Sequence, residues 1–337
     1  MNITILGAGT WGTALAALFA NNGHRTTLWS ALPQELDSLS SSRMHPHLSG
    51  AVLPDSIIYE KDEEKACHGA EMILFVVPSE YVRSTAKKIA PFVEQNVVLI
   101  SAAKGLEKGT LKSMTDIIDD EIRLVRKDLS YKVAALSGPT HAEEVAVGLP
   151  TSIVAACEDE NVALRIADTF KGSCMRAYTN ADVRGVELCG ALKNIIAIAA
   201  GINRGMGFGD NSLAMLITRG AAEIMRMGEA MGCERTTFMG LSGIGDLIVT
   251  CTSRHSRNNR CGTLIGQGKT YEEAAKEIGM VVEGYYALEA AIALSQTYQV
   301  EMPITQAVYD IIVKKMNPKD VMKRLMNREI KSENVKR

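Results

Sequence analysis

The sequence lacks a net charge of either sign. Its 37 lysines and arginines nearly balance its 39 aspartates and glutamates, which leaves a formal net charge of -2. A nucleic-acid backbone is held by a strongly basic surface, so we predict no nucleic-acid partner. A small anionic ligand would have to be bound by a local cluster of basic side chains.

The sequence also lacks paired cysteines. Its seven cysteines are an odd number, and none has Cys-x-x-Cys spacing or histidines at zinc-finger intervals. This pattern predicts no metal site, and it indicates free, buried thiols in a reducing compartment. We therefore expect a cytoplasmic protein.

A third absence is that of a hydrophobic run flanked by basic residues. Residues 3–20 are apolar, but no lysine or arginine precedes them and three glycines interrupt them. A signal peptide has a basic start, and a membrane span has about 20 apolar residues in succession. A strand followed by a helix fits better, so we predict no integral membrane segment.

The chain is long enough for two domains. It has 337 residues against roughly 150 for one domain, and 46% of them are hydrophobic. Short apolar runs alternate with helical patterns at first, which predicts an α/β domain with a doubly wound sheet over residues 1–183. Residues 184–337 predict an all-α domain. The predicted strands are residues 3–6, 26–29, 57–59, 72–76, 97–101, 133–136, 152–155 and 175–178.

A glycine-rich turn follows the first predicted strand. Gly7, Gly9 and Gly12 have G-x-G-x-x-G spacing where that strand ends and the first helix begins. There, Gly7 makes the tight turn, Gly9 lets a pyrophosphate approach the backbone, and Gly12 lets the helix pack closely. A turn without a ligand is the alternative, but the context favours a Rossmann-type dinucleotide site.

The choice between NAD and NADP stays open at this stage. An acidic residue for the ribose of NAD is expected at the end of the second strand. That strand ends at residues 29–31, Trp-Ser-Ala, which offer neither an acid nor a base for the 2′-phosphate of NADP. Arg25, Arg43 and His47 are the basic residues that could approach it.

One lysine lies in a segment that is otherwise apolar. Lys193 has Gly190 and Ala197 one turn away, and residues 195–200 are apolar all round, which predicts a buried helix. A buried ammonium is costly unless it has a partner or a ligand. Alternatively, the stem of Lys193 runs along the helix to reach water. Burial alone leaves both interpretations open.

Another segment concentrates positive charge. Three arginines, Arg254, Arg257 and Arg260, lie close together, with Ser256 and Asn258 between them. A guanidinium can bind a phosphate through two parallel hydrogen bonds, so this segment predicts a phosphorylated ligand with Arg257 as a contact. An exposed basic loop is the alternative.

Three shorter segments carry local expectations. Thr140 and Glu143 have the spacing of a capping box at the start of a helix. Asp246 ends a glycine-flanked turn, where an aspartate is commonly a turn or capping residue. Residues 119–132 carry charges of both signs and predict a lengthened surface connection before the sixth strand.

Seven segments of the chain match a known family in the same order. They are residues 7–12, 103–107, 137–142, 187–194, 243–247, 256–258 and 282–284. Over nearly its whole length the sequence resembles the bacterial NAD(P)-dependent glycerol-3-phosphate dehydrogenases. One departure is residues 47–50, His-Leu-Ser-Gly, where members usually carry an aromatic residue and a proline.

The resemblance implies a reversible hydride transfer between NAD or NADP and C2 of sn-glycerol 3-phosphate, which gives dihydroxyacetone phosphate. It also implies that Lys193 is the acid/base on the C2 oxygen and that the product feeds glycerophospholipid synthesis. Homodimers are common in the family, so a homodimer is a candidate assembly. The implied substrate contacts are Lys104, Gly138, Thr140, Lys193, Asp246, Ser256, Arg257 and Asn258. The implied cofactor contacts are Thr10, Trp11, Lys104, Ala142, Arg257, Val281 and Glu283, besides the three glycines.

The chemistry of ketone reduction requires the same residue types. A ketone that is being reduced develops negative charge on its oxygen, which a protonated lysine stabilises and protonates. We expect burial and Lys104 to lower the pKa of Lys193, and Asp246 to oppose that shift. The competing interpretations are a related dehydrogenase of hydroxy acids or imines, and a catalytically silent NAD(P)-binding regulator. The arginine cluster argues against the first, and the buried lysine against the second.

Overall fold

The computed structural model describes residues 1–330 and Ser332. Eight strands lie within two residues of the predicted ranges and form one sheet in the order 3-2-1-4-5-6-7-8. This agreement confirms the predicted α/β fold class. The strands are β1 (Asn2–Leu6), β2 (Arg25–Trp29), β3 (Ile58–Glu60), β4 (Met72–Phe75), β5 (Val98–Ser101), β6 (Lys132–Ser137), β7 (Thr151–Ala156) and β8 (Met175–Asn180).

The order of the strands reverses in the middle of the sheet. From β1 the chain builds β2 and β3 on one side, then β4, β5 and β6 on the other, all of them parallel. In open α/β sheets, ligands bind outside the carboxyl ends of the strands at such a reversal. The crevice between the ends of β1 and β4 is therefore the expected ligand site.

The last two strands run in the opposite direction. β7 pairs antiparallel with β6, and β8 pairs parallel with β7. The sequence analysis did not predict this reversal, because an apolar run does not encode the direction of a strand.

Helices cover both faces of the central strands. Met72 and Leu74 of β4 join the apolar core on one face, whereas Ile73 and Phe75 join the core on the other. Successive side chains of a strand point to opposite faces, so a strand covered on both sides is apolar throughout. The connecting helices are α1 (Thr10–Asn21), α2 (Pro33–Ser42), α3 (Glu63–Cys67), α4 (Val82–Ile89), α5 (Met114–Val125), α6 (Ala142–Ala146) and α7 (Glu160–Asp168).

The chain is helical after β8, and one helix forms the centre of this part. Residues 185–203 of that helix, α8, are all buried. Within the described residues α8 alone has the length and hydropathy of a membrane span, but 94% of that window is buried inside the protein. The helices are α8 (Val183–Gly205), α9 (Asp210–Ala230), α10 (Arg235–Phe238), α11 (Asp246–Thr252), α12 (Arg257–Gly266), α13 (Tyr271–Ile278), α14 (Glu283–Thr297), α15 (Pro303–Ile312) and α16 (Pro318–Met326).

Glycines let α12 cross α8 at very short distance. A Cβ atom on Gly201 would lie 2.0 Å from Asn259 O, and one on Gly262 would lie 2.1 Å from Ile198 O. Both obstacles are backbone atoms, which cannot rotate away. The crossing therefore fixes the start of α12 relative to the middle of α8, where Lys193 lies.

A buried carboxylate joins α8 to the sheet part of the molecule. Glu187 accepts hydrogen bonds from Thr115 N (2.9 Å) and Thr115 Oγ1 (2.5 Å) in the first turn of α5. Burial raises the pKa of Glu187. The two hydrogen bonds oppose that shift, because they stabilise the charged carboxylate.

The predicted surface connection over residues 119–132 is wrong for residues 119–125, whereas residues 126–131 do connect α5 to β6. Residues 119–125 form the second half of α5, whose apolar side chains pack on the sheet. Glu121 of this helix is buried and accepts a hydrogen bond from Arg83 Nη1 (2.6 Å). The mixed charges thus belong to the outer face of a core helix.

The predicted capping box of Thr140 and Glu143 is also wrong. α6 begins at Ala142, and His141 is the capping position. Glu143 is therefore the second residue of the helix rather than the third, out of register for the reciprocal bond. Thr140 Oγ1 donates to Gly138 O instead (3.3 Å).

The boundary predicted after residue 183 falls at the start of α8. The division into domains at this point stays a prediction. Residues 331 and 333–337 of the second predicted domain lie outside the part of the chain that the structure describes.

We expect Gly262→Ala to lower the free energy of unfolding by about 1–3 kcal/mol, because the added methyl group forces α8 and α12 apart. Urea denaturation measures this change. Gly209→Ala is the control, since a Cβ atom there would meet no atom within 4 Å. Equal denaturation midpoints for wild type and Gly262→Ala would contradict the close crossing.

Candidate active site

The candidate site lies at the carboxyl ends of four neighbouring strands. The glycine-rich turn follows β1, Ser79 lies shortly after β4, Lys104 follows β5 and Gly138 follows β6. Helices α8, α11, α12 and α14 supply the residues on the opposite side, as the contacts below show.

The backbone of the glycine-rich turn leaves no room for side chains at two positions. Gly7 has φ +122°, and a Cβ atom there would lie 2.7 Å from Val76 O. A Cβ atom on Gly12 would lie 1.9 Å from Gly7 O, so this glycine allows the helix to pack closely. The conformational roles predicted for Gly7 and Gly12 are confirmed.

The third glycine and its neighbour face open space. A Cβ atom on Gly9 would meet no atom within 4 Å, and Gly9 caps the start of α1. The adjacent Thr10 Oγ1 is buried and has no hydrogen-bond partner within the described chain. A dinucleotide pyrophosphate fits both observations, since it occupies space at a helix start and accepts hydrogen bonds.

Two further predicted cofactor contacts lie beside this turn. Ala142, the first residue of α6, packs with Ala14 of α1 and with Leu48, and the half-buried Trp11 packs against the same cluster. The segment that departs from the family pattern, residues 47–50, is thus in contact with the start of the nucleotide site. No contact of its own with a cofactor is assigned to it.

Lys193 is buried and has polar partners rather than a path to water. Its side chain is 6% exposed, and its Nζ donates to Thr250 Oγ1 (2.7 Å) and lies 3.0 Å from Asp246 Oδ1. The alternative of a lysine reaching solvent along the helix is therefore excluded. The space beside Gly190 is used by the stem of Lys104, because a Cβ atom there would lie 3.3 Å from Lys104 Cγ.

Asp246 binds both lysines. Its Oδ2 is 2.7 Å from Lys104 Nζ, while its Oδ1 contacts Lys193, and its side chain is only 3% exposed. Lys104 Nζ also donates to Gly138 O (3.1 Å). Two ammonium groups share one carboxylate here, so the cluster carries an uncompensated positive charge when both lysines are protonated. Such a cluster attracts an anion.

The electrostatic environment shifts the pKa of Lys193 in the predicted direction. The pKa of Lys193 is lowered to about 8: burial and the charge of Lys104 lower it, and Asp246 opposes both. Burial alone would raise the pKa of Asp246, but the two neighbouring ammonium groups hold it below its usual value. The site therefore contains an ionised carboxylate beside a lysine that can change protonation state near neutral pH.

The sequence analysis missed Thr250. Its hydroxyl accepts from Lys193 and donates to Asp246 O (2.6 Å) one turn back on α11. The available signal was the i,i+4 spacing of Asp246 and Thr250, which puts both on one helix face. The spacing alone does not show that α11 lies against α8, so it does not identify Lys193 as the partner of Thr250.

Only one of the three clustered arginines is partly buried. Arg257 starts α12 and forms no hydrogen bond or ion pair with the described residues, whereas Arg254 and Arg260 are exposed. Ser256 caps the same helix by accepting from Asn259 N (3.2 Å). The free guanidinium of Arg257 is thus held at a helix start with its hydrogen-bonding capacity unused.

The side-chain amide of Asn258 forms hydrogen bonds within the protein through both its nitrogen and its oxygen. It donates to Asn194 Oδ1 (3.0 Å) and accepts from Gly284 N (2.9 Å). It joins α8 to the start of α14, and one Nδ2 hydrogen remains for a ligand. Ser256 likewise uses its hydroxyl oxygen as a cap, so the substrate contacts predicted for both stay predictions.

Glu283 connects the helical part to the sheet. Ser79 Oγ donates to Glu283 Oε2 (2.7 Å). Burial raises the pKa of Glu283, and this hydrogen bond and the positive charge of Arg257 oppose the shift. The half-buried Val281 precedes Glu283 by two residues. The structure therefore brings Glu283, a predicted cofactor contact, beside the segment that follows β4, whereas the cofactor contact of Val281 stays a prediction.

One histidine without a predicted role lies close to the lysine pair. The His141 ring is 5.8 Å from that of His255, and its Nε2 is buried without a partner in the described chain. Burial and then the charge of Lys193 lower the pKa of His141.

No group of three or more metal-binding side chains occurs among the described residues.

A glycine-rich turn of the dinucleotide-binding form and a buried, titratable lysine beside the carboxyl ends of the same sheet are features of a Rossmann-type nicotinamide-dependent dehydrogenase. Profiles of the NAD-dependent glycerol-3-phosphate dehydrogenase N-terminus and C-terminus match residues 2–163 and 182–323. The chain belongs to this glycerol-3-phosphate dehydrogenase family.

Individual relatives match over the full chain. It is 52% identical to glycerol-3-phosphate dehydrogenase (NAD(P)+) 2 of Lactobacillus delbrueckii subsp. bulgaricus, with 99% of both chains covered. It is 45% identical to the Agathobacter rectalis enzyme of the same kind, with 98% of this chain and 97% of the relative covered. The crystal structure of glycerol-3-phosphate dehydrogenase from Coxiella burnetii superimposes with TM-score 0.91 at 35% identity, covering 97% of this chain and 99% of that one.

We expect Asp246→Asn to lower the free energy of unfolding at pH 7 by about 3–5 kcal/mol, because it leaves the buried ammonium group of Lys193 and the partly buried one of Lys104 without their carboxylate. Urea denaturation measures the loss. This loss becomes smaller as pH falls below about 4. The lowered pKa of Asp246 stabilises the fold at pH values where the carboxyl group is charged, and protonation of that group removes the contribution.

Asp168→Asn removes a charge on the surface and is the control, with an expected change within about 0.5 kcal/mol. Replacing Lys104 by Met in addition to Asp246→Asn should recover part of the loss. If Asp246→Asn matches the control, the carboxylate does not hold the lysine pair.

Proposed function

We propose that this chain interconverts sn-glycerol 3-phosphate and dihydroxyacetone phosphate with NAD(P), using Lys193 as the acid and base at the C2 oxygen. The observation that carries the assignment of Lys193 is its burial against Asp246 and Thr250, with its pKa near 8. By this function the chain supplies glycerol 3-phosphate for glycerophospholipid synthesis. A cytoplasmic location and a homodimeric assembly are part of the proposal.

A bound nicotinamide supplies a hydride to C2 in reduction and takes one from C2 in oxidation. In reduction the protonated Lys193 donates its proton to the C2 oxygen as negative charge develops there. In oxidation the neutral amine of Lys193 removes the proton of the C2 hydroxyl. Asp246 and Thr250 hold Nζ in one position during both steps, which preserves the geometry of the transfer.

The positive charge of the lysine pair and the free guanidinium of Arg257 support a phosphorylated substrate. Arg257 forms no hydrogen bond or ion pair in the described chain, so binding a phosphate breaks no such contact. Lys104, Gly138 and Thr140 lie together at the end of β6, and the amide and hydroxyl groups there can bind the remaining substrate oxygens. Ser256 and Asn258 support this contact mainly by fixing the start of α12.

The pH dependence of both directions tests the role of Lys193. Because the ammonium form donates the proton, kcat/KM for dihydroxyacetone phosphate should fall as pH rises through about 8. Because the amine accepts it, kcat/KM for glycerol 3-phosphate should rise through the same pH. Spectrophotometric assays with NADH, NADPH and their oxidised forms measure both profiles.

Lys193→Ala should lower turnover at least about a hundredfold and remove the pH dependence of kcat/KM near pH 8 in both directions. A loss smaller than about tenfold, a change of only ~1.4 kcal/mol in the barrier, is incompatible with the assigned role.

Arg257→Ala should raise KM for dihydroxyacetone phosphate by about ten- to hundredfold, the range expected for losing a hydrogen-bonded charge pair. For unphosphorylated dihydroxyacetone, kcat/KM should change little. Arg235→Ala, which removes a surface guanidinium from α10, is the control. An unchanged KM in Arg257→Ala removes this residue from the phosphate site.

A further inference from the structure

The end of β2 lies directly beside the glycine-rich turn. Gly7 N donates to Trp29 O (2.8 Å), so Ser30 is the first residue beyond the sheet at this point. In Rossmann folds this end of the second strand meets the adenosine ribose of the cofactor. What lies at Ser30 therefore decides whether a 2′-hydroxyl or a 2′-phosphate is accepted.

An acidic side chain from the next helix reaches Ser30. Glu35, in the first turn of α2, accepts a hydrogen bond from Ser30 Oγ at Oε2 (2.7 Å). Leu32 N donates to the same Ser30 hydroxyl oxygen (3.1 Å), which fixes that hydroxyl between the two groups. The carboxylate that the end of β2 lacks is thus supplied five residues later along the chain.

The arginines that could have bound a 2′-phosphate are elsewhere or engaged. Arg25 pairs with Asn2 at the opposite end of β2, roughly 13 Å along a five-residue strand. Arg43 donates through Nε (2.9 Å) and Nη2 (2.6 Å) to Leu53 O, and its Nη1 lies 2.7 Å from Asp55. Neither guanidinium is free for a phosphate at Ser30.

The remaining cations nearby are paired or weakly charged. Lys61 follows β3, and its Nζ is 2.6 Å from Asp37. Burial and His47 lower the pKa of His45, against the opposing charges of Glu35 and Glu143, so this imidazole is mostly neutral at pH 7.5. His47 is exposed and lies beside His45, with 5.7 Å between the rings.

We propose that Glu35 makes this chain select NAD over NADP. Its carboxylate accepts a hydrogen bond from a ribose 2′-hydroxyl and repels a 2′-phosphate, which no free guanidinium of the described chain offsets at this position. This inference rests on the proposed nucleotide site at the glycine-rich turn. It goes further than that site because it identifies the residue that distinguishes the two cofactors.

The test measures binding without turnover. NADH and NADPH are titrated into the protein and followed by cofactor fluorescence, and 5′-AMP and 2′,5′-ADP are titrated by calorimetry. Wild type should bind NADH at least about tenfold more tightly than NADPH. Glu35→Gln should tighten NADPH and 2′,5′-ADP binding by about tenfold and weaken NADH binding no more than a few-fold.

Glu160→Gln is the matched control, because it removes the same charge from an exposed position at the start of α7, which follows β7, a strand five places away from β2 in the sheet. Equal affinities of wild type for NADH and NADPH, or an unchanged ratio in Glu35→Gln, would overturn the inference. If Lys61→Ala loses NADPH binding while Glu35→Gln has no effect, Lys61 rather than Glu35 determines binding at the ribose 2′ position. Failure of all four ligands to bind would contradict the nucleotide site itself.

Discussion

The buried carboxylate of Asp246 holds two ammonium groups, one buried and one partly buried, and the arrangement of the candidate site depends on it. Its two oxygens bind lysines from different parts of the chain, Lys193 on α8 and Lys104 after β5. Burying three charged groups is costly, and apolar replacements of buried ion pairs are often as stable or more so. A requirement of the reaction, rather than a gain in the stability of the fold, therefore explains the cluster. The cluster combines a lysine, Lys193, whose pKa is lowered to about 8, with the ionised carboxylate of Asp246.

Much of the fold could be predicted because it follows from local patterns. Continuous apolar runs predict strands covered on both faces, and the spacing of Gly7, Gly9 and Gly12 predicts the turn that joins the first strand to its helix. The apolar residues around Lys193 also predict that it is buried, and burial lowers the pKa of a lysine. These features need only the residues themselves and their immediate neighbours along the chain.

The predictions that failed depend on register and long-range contacts. The capping box at Thr140 failed because α6 starts one residue later than the pattern suggested. The charges of α5 suggested a loop because the sheet that buries its other face is built from distant residues. Thr250 and Glu35 had no visible role for the same reason, since their partners lie on elements whose placement the sequence does not reveal.

Three carboxylates of the helical part hold residues of the sheet part. Glu187 binds Thr115, Asp246 binds Lys104 and Glu283 binds Ser79. A hinge motion that widened the crevice would have to break charge-assisted hydrogen bonds at all three points, of which the one between Glu187 and Thr115 is buried and the other two are partly buried. Opening the crevice therefore has an energetic cost at three separate points.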